Sequence, residues 1–219
     1  MTFDMDRLRI LGRLLLAAVF YSLVAASAAT ANDLAPDALA RSVSDEVLAI
    51  VRADKDLQSG NQEKVIQLVE SKVLPHFNFT HMTRLAVGRN WRDCTPEQQQ
   101  ALTEEFKMLL VRTYTTAYRQ YRNETIEYRP LRMAPGDTDV VVKSVVKQPG
   151  RPQPIAVDYM MEKLPSGWKV YDVKIEGVSL VENYRSTFAG EIQRNGVDGL
   201  VRTLSDRNKA LAAQQSARR

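Results

Sequence analysis

His76, His81, Cys94, Asp158, Tyr159 and Asp172 are the side chains in this 219-residue chain whose types could do chemistry. The spacing of His76 and His81 does not put them on one helix face, so they do not read as a metal site and no metal is expected. Cys94 is the only cysteine. Without a Cys-x-x-Cys partner it reads as a small buried side chain rather than a redox centre, and the fold has no internal disulfide to rely on. Asp158, Tyr159 and Asp172 lie in strand-like sequence, where they could act as acid, base or hydrogen-bond donor inside a cavity, although acidic residues in strands mostly turn outward. A Gly-x-Ser-x-Gly elbow and a Gly-x-x-x-x-Gly-Lys-Ser/Thr loop are both missing, which weakens hydrolase and nucleotide-driven readings. No catalytic residue is assigned and no cofactor is implied.

The segment from Trp168 to Phe188 invests in apolar shape instead. A β-rich run turns at Gly177 into an amphipathic helix, and Trp168, Tyr171, Tyr184 and Phe188 gather around that corner with no nucleophile and base beside them. Such a corner favours holding a greasy ligand over cutting one.

The elements that must position this corner follow from periodicity. Leu39, Val43, Val47, Ile50 and Val51 recur at three- and four-residue steps after Pro36, predicting a helix that ends at Gly60-Asn61. Asn61 caps a second helix carrying Val65, Leu68, Val69 and Val73, stopped by Pro75, and the two are expected to pair as a hairpin. A short helix with Met82, Leu85 and Ala86 follows, capped by Asn78 or Thr80 and closed by Gly88. Thr95-Pro96-Glu97-Gln98 is a strong helix start, opening a long helix to about Tyr121 with Leu102, Phe106, Leu109 and Leu110 on its stripe.

The period then falls to two. Four strands are predicted, Thr125 to Met133, Thr138 to Lys147, Ile155 to Glu162 and Trp168 to Glu176, with turns short enough for an antiparallel meander. Trp168 and Val170 fall on one face of the last strand and Val173 and Ile175 on the other, so a bulge near Tyr171-Asp172 or burial on both faces is required. Leu180, Tyr184, Phe188 and Ile192 then mark a helix ending at Gly196, before Asp198 caps another. The tail 209–219 reads as polar and frayed. The class is α+β, with helices first and last around an antiparallel sheet of about four to five strands.

Arg7, Arg9 and Arg13 precede an uncharged run ending at Ala29-Thr30-Ala31. This is a secretory leader pattern, expected to be removed after Ala31 or, alternatively, after Ala28, since the apolar run is shorter than the roughly 20 residues that span a bilayer. Removal at Ala31 takes 31 residues from 219 and leaves 188, enough for a single domain over 32–208 with an N-terminal helical subdomain. The net charge of +4 is mild and scattered, which together with export argues against nucleic acid and leaves anionic lipid surfaces or acidic proteins as better partners.

Three blocks carry a family resemblance: Met82 to Arg92 (Met-Thr-Arg-Leu-Ala-Val-Gly-Arg-Asn-Trp-Arg), Phe106 to Tyr114 (Phe-Lys-Met-Leu-Leu-Val-Arg-Thr-Tyr), and Trp168 to Val173 with Glu176-Gly177-Val178-Ser179-Leu180. Together, over about Leu74 to Asn208, they closely resemble the MlaC, or toluene-tolerance, family of periplasmic phospholipid-binding proteins. Cys94 departs from the family pattern between Trp91 and Thr95. The resemblance implies an NTF2-like twisted sheet packed with helices around a deep apolar pocket. It further implies a carrier of the intermembrane phospholipid transport system, which supports outer-membrane lipid asymmetry. Its expected partners are phospholipid, an inner-membrane ABC transporter with an MCE-domain subunit and an outer-membrane lipoprotein complex, and it is expected to be a monomer.

A pocket enclosing both acyl tails needs about 1,000 Å³, the upper end of ordinary ligand pockets. Its expected walls are Leu109, Leu110 and Tyr114 on the long helix, and Val140, Val142, Tyr159 and Met161 on the strands. Trp168, Val170, Val173, Ile175, Val178, Val181, Tyr184 and Phe188 complete them from the corner. Any of these could equally be ordinary core. Arg89, Arg92 and Arg185 are the headgroup candidates, because guanidinium suits phosphate. A periplasmic enzyme acting on a small apolar substrate, and a scaffold without ligand, are the alternatives.

Overall fold

In the computed structural model the described residues are 34–117, 123–150 and 152–216. The leader, the far end of the long helix and residues 217–219 lie outside them.

Helix α1 spans Pro36–Ala53 and stops short of Gly60. Asp54 breaks it by taking an extended conformation (φ −114°, ψ 114°), and its carboxylate accepts from the Asp56 and Leu57 amides to cap a single turn, α2, Lys55–Gln58. Asn61 caps α3, Gln62–Leu68, by accepting from the Lys64 amide. The backbone then widens into a π-helical turn, Val69–Val73, and tightens into a 3₁₀ turn, Leu74–His76, as Pro75 requires. Val51, Leu57, Val65 and Leu68 bury against each other, so the expected hairpin forms.

Asn78 caps α4, Phe79–Val87, which ends at Gly88 in the left-handed region (φ 65°). A 3₁₀ segment, Gly88–Asp93, carries the buried Trp91 into α5, Pro96–Ala117. The capping box at its start is complete: the Gln98 amide donates to Thr95 Oγ1 (3.2 Å) and the Thr95 amide to Gln98 Oε1 (3.0 Å).

Five strands form one antiparallel sheet in the order β1 to β5. They are Thr125–Tyr128, Asp139–Lys147, Ile155–Leu164, Gly167–Ile175 and Val178–Ser179. Strand β1 is shorter than its pattern because Pro130 has no amide to continue the ladder. Between β3 and β4 the register jumps, Met160 facing Asp172 but Met161 facing Val170, which leaves Tyr171 as the extra residue of a bulge. That insertion reverses the alternation. Trp168, Val170, Val173 and Ile175 all join one inner-face cluster with Val140, Val142 and Met161.

Gly177 (φ 80°) and Glu176 (φ 51°) form a two-residue hairpin turn into β5, so Gly177 does not join sheet to helix as expected. The corner itself is held by Asp172. Its buried carboxylate accepts from the Val173 amide (2.8 Å), the Ser179 hydroxyl (2.6 Å) and the Val181 amide (3.2 Å), while Ser179 Oγ accepts from the Glu182 amide that opens α6.

Helix α6, Glu182–Ser216, consists of two arms meeting at Gly196 (φ 70°, ψ −179°). Asp198, expected to cap the second arm, stands within its first turn instead, and its carboxylate accepts from Gln98 Nε2. The segment 209–216, expected to fray, is helical. Asn208 is buried and donates to the Glu105 carbonyl (2.9 Å) and carboxylate (2.7 Å), Arg112 reaches Gln215 (3.0 Å), and Leu211 packs on the core. That core joins α4, α5 and α6 around Phe106, whose ring meets Tyr184 and Phe188 edge-on at 5.1 Å each.

Candidate functional site: paired apolar cavities

Two cavities lie between the N-terminal helices, α5 and the inner face of the sheet. The first, about 270 Å³, is walled by Val47, Val51, Val65, Leu68, Val69 and Val73 from the N-terminal helices. Phe77, Phe79 and Met82, then Leu110, Val111 and Tyr114 of α5, and Val173 and Leu180 near the corner close it. The second, about 180 Å³, lies between α1 (Leu39, Val43, Val47) and sheet residues Ile126, Tyr159, Met161 and Val170. Val47, Val73 and Phe77 belong to both linings and form the partition between them. Among the described residues the two do not form a single space near 1,000 Å³: Val47 of α1 and Val73 of the π-helical turn stand where they adjoin.

The walls are almost wholly carbon, and the wall hydroxyls of Thr115 and Ser44 are turned to protein partners. Thr115 Oγ1 donates to the Val111 carbonyl one turn back (2.6 Å). Tyr128 donates to the Ala40 carbonyl (2.9 Å) and is bonded to Ser44 Oγ (2.6 Å). Burial drives the Tyr159 phenol far above its ordinary value, with the neighbouring Tyr128 adding to the shift, so it stays neutral. Burial first, and then the Lys169 ammonium, push the His76 imidazole below its ordinary value. No wall group of either cavity carries a charge at neutral pH.

His76 makes the cavity region sensitive to acid. A histidine with a depressed folded-state value binds fewer protons folded than unfolded, so stability holds above about pH 6.5 and falls as the pH drops below it. The expected outcome is that His76→Gln flattens the thermal-melting profile between about pH 6.5 and 5. An unchanged slope in the variant would assign that acid sensitivity to other groups.

Of the residues proposed for the lipid-tail walls, Leu110, Tyr114, Val173, Tyr159, Met161 and Val170 line these cavities. Leu109, Val181, Tyr184 and Phe188 instead fill the helical core, and Val140, Val142 and Trp168 fill the core of the sheet, with Ile175 at its margin. Val178 is a correction: it is 60% exposed, because it sits in a two-residue strand at the sheet's edge. Besides Phe77, Phe79, Met82, Val111, Ile126 and Leu180, the residues that the expected wall set omitted are chiefly those of α1, α3 and the π-helical turn. Their stripes were visible in the sequence, but only as the inner faces of a hairpin.

Arg89, Arg92 and Arg185 do come together, joined by Arg84, around a separate depression that shares no lining residue with either cavity. The groups considered for catalysis do not converge. Tyr159 faces a cavity, its neighbour Asp158 points to the opposite side of the sheet, and Asp172 is engaged in the corner. His81 is bound to Glu162 (2.8 Å) and stacked on Tyr171. Among the described residues no cluster of metal-ligating side chains is found. Burial raises the Cys94 thiol, and its Sγ donates to the Asn90 carbonyl (3.3 Å), as befits a packed side chain.

An antiparallel sheet closed by helices over uncharged, carbon-walled cavities defines a protein suited to an apolar ligand. The sequence pattern of the family described as MlaC protein matches residues 41–206, and the chain belongs to that family. It is similar to the toluene tolerance protein ttg2D of Pseudomonas putida, 28% identical over 188 residues that cover 85% of this chain and 84% of the relative. The intermembrane phospholipid transport system binding protein MlaC of Haemophilus influenzae is 22% identical over 171 residues, covering 77% and 80%. A solved structure of the phospholipid-binding protein from Ralstonia solanacearum, in complex with a phospholipid, matches with a TM-score of 0.72. It is 48% identical and covers 79% of this chain and 96% of that one. Among the described residues no helix is long and apolar enough to cross a membrane.

Proposed function

We propose that this chain is a periplasmic phospholipid carrier, exported by its N-terminal leader and working as a monomer. The observation that carries the reading is the pair of uncharged apolar cavities that adjoin at Val47, Val73 and Phe77. Each methylene taken from water contributes about 0.8 kcal/mol, so an acyl chain of ordinary length represents about 10 kcal/mol or more. A carrier must offset that cost for two tails, and the two adjoining apolar spaces, smaller together than the roughly 1,000 Å³ that both tails need, must widen to take them. The bound phospholipid of the Ralstonia solanacearum relative supports the ligand class. The headgroup stays in water, which lets one carrier accept several phospholipids.

The carrier exchanges lipid with an inner-membrane ABC transporter bearing an MCE-domain subunit and with an outer-membrane lipoprotein complex, and so supports outer-membrane lipid asymmetry. The direction of net flow is set by energy supplied at the transporter. The reading predicts that the purified chain, mixed with donor vesicles containing labelled phospholipid and unlabelled acceptors, moves intact label at a rate proportional to protein concentration. Release of fatty acid in place of intact lipid would instead favour the enzyme reading.

A further inference from the structure

Arg84 at the end of α4, Arg89 and Arg92 on the 3₁₀ segment, and Arg185 in the first turns of α6 surround one surface depression together with Leu85, Gly88 and Trp91. Arg185 lies over the backbone of Gly88, where a Cβ would be 3.5 Å from Nε, and the positive φ of Gly88 (65°) turns the chain from α4 into the segment bearing Arg89 and Arg92. All four arginines are exposed. None of them takes part in any of the ion pairs or side-chain hydrogen bonds found among the described residues, and the depression has no carboxylate in its lining. Four unneutralised guanidinium groups in one place are an anion site in search of a partner, and guanidinium matches phosphate oxygens in a two-pronged geometry.

We infer that this arginine depression docks the protein on the phosphate groups of an anionic membrane surface. It is not the headgroup site of a lipid held in the cavities, since the linings have no residue in common. On α5 the first cavity-lining residue, Leu110, is about 16 Å along the helix from Gln99, from which the Trp91 carbonyl accepts, and on α4 the buried Met82 lines the cavity while the exposed Arg84 lines the depression. An acidic protein face is the competing occupant. Protein interfaces are anchored by accessible apolar and aromatic side chains, and here Trp91 is buried while the large exposed hydrophobics, Leu34, Met133, Val141 and Val178, lie elsewhere. Four exposed guanidinium groups over a half-buried Leu85 and a buried Trp91, with no exposed large hydrophobic side chain among them, suit lipid phosphates.

The test is co-sedimentation of the mature chain with vesicles of 30 mol% phosphatidylglycerol in phosphatidylcholine, against phosphatidylcholine alone with the same acyl chains, at low salt. Identical tails make any difference between the two a report on headgroup charge. The expected result is binding to the anionic vesicles that is lost in high salt and falls about 25-fold in Arg89→Gln/Arg92→Gln, at about fivefold per arginine. Arg129→Gln/Arg132→Gln, which removes the same charge from the β1–β2 connection, should bind like the parent. Equal loss in both double variants, or no preference for anionic vesicles, overturns the inference. So does binding to polyglutamate with none to vesicles, which would give the surface to an acidic protein. Lipid recovered from the same variants by solvent extraction reports separately on the carrier reading, which stands or falls without this surface.

Discussion

Val173→Glu is expected to lower phospholipid loading by more than about 100-fold while leaving a folded protein. Val173 is 7% exposed and contributes to the wall of the larger cavity beside Leu110 and Tyr114. An unpaired carboxylate there faces carbon, and burying such a charge beneath an acyl chain costs several kcal/mol. Unloaded, the carboxylate has the cavity's own space in which to be hydrated. Tyr184→Glu should behave differently. Tyr184 lines neither cavity, and its ring packs on Phe106 and Phe188 at 5.1 and 5.5 Å, so its loss should cost about 3–5 kcal/mol of stability. Val73→Trp provides a milder route to the same end, since Val73 belongs to both linings and is only half-buried. Mass spectrometry of extracted lipid together with thermal melting separates the three variants. Full loading of folded Val173→Glu would remove that residue from the ligand wall.

Asp172→Ala is expected to cost as much stability as the Tyr184 change, by a different route. The carboxylate receives the Val173 and Val181 amides and the Ser179 hydroxyl, and Ser179 in turn receives the Glu182 amide. Removing it leaves these donors buried without an acceptor at the one point where β4, β5 and α6 meet. The expected cost is about 3–5 kcal/mol, seen as a melting temperature lower by roughly 10 °C for a domain of this size. Asp172→Asn keeps an acceptor for the two amides and should lose less than half as much. Equal melting temperatures for Asp172→Ala and the parent would show that the corner holds by packing alone.

The bulge shows how much local pattern can reveal. Trp168, Val170, Val173 and Ile175 break the two-residue period, and an extra residue at Tyr171 repairs it, so the need for the bulge was legible in residue order alone. The caps at Asn61, Asn78 and Thr95 were legible for a similar reason, being local side-chain to backbone contacts. The helix over 209–216 was not, because its polar sequence is held by distant groups: Glu105 for Asn208 and Arg112 for Gln215. Asp54 hid a helix break inside an unbroken apolar stripe by capping a new turn.

The candidate site was half legible. Leu110 and Leu109 are adjacent, equally apolar and both buried, yet Leu110 lines a cavity and Leu109 the core. Nothing in composition separates the two, since a cavity wall is core with one neighbour missing. The arginines were legible by neighbourhood only. Their meeting with Arg84 depends on α6 returning over Gly88, a long-range contact.

The central claim is that the interior holds phospholipid. Mature protein purified without detergent, extracted with organic solvent and analysed by mass spectrometry, is predicted to release intact phospholipid in stoichiometric amount. Persistent absence of lipid from folded protein would contradict the account.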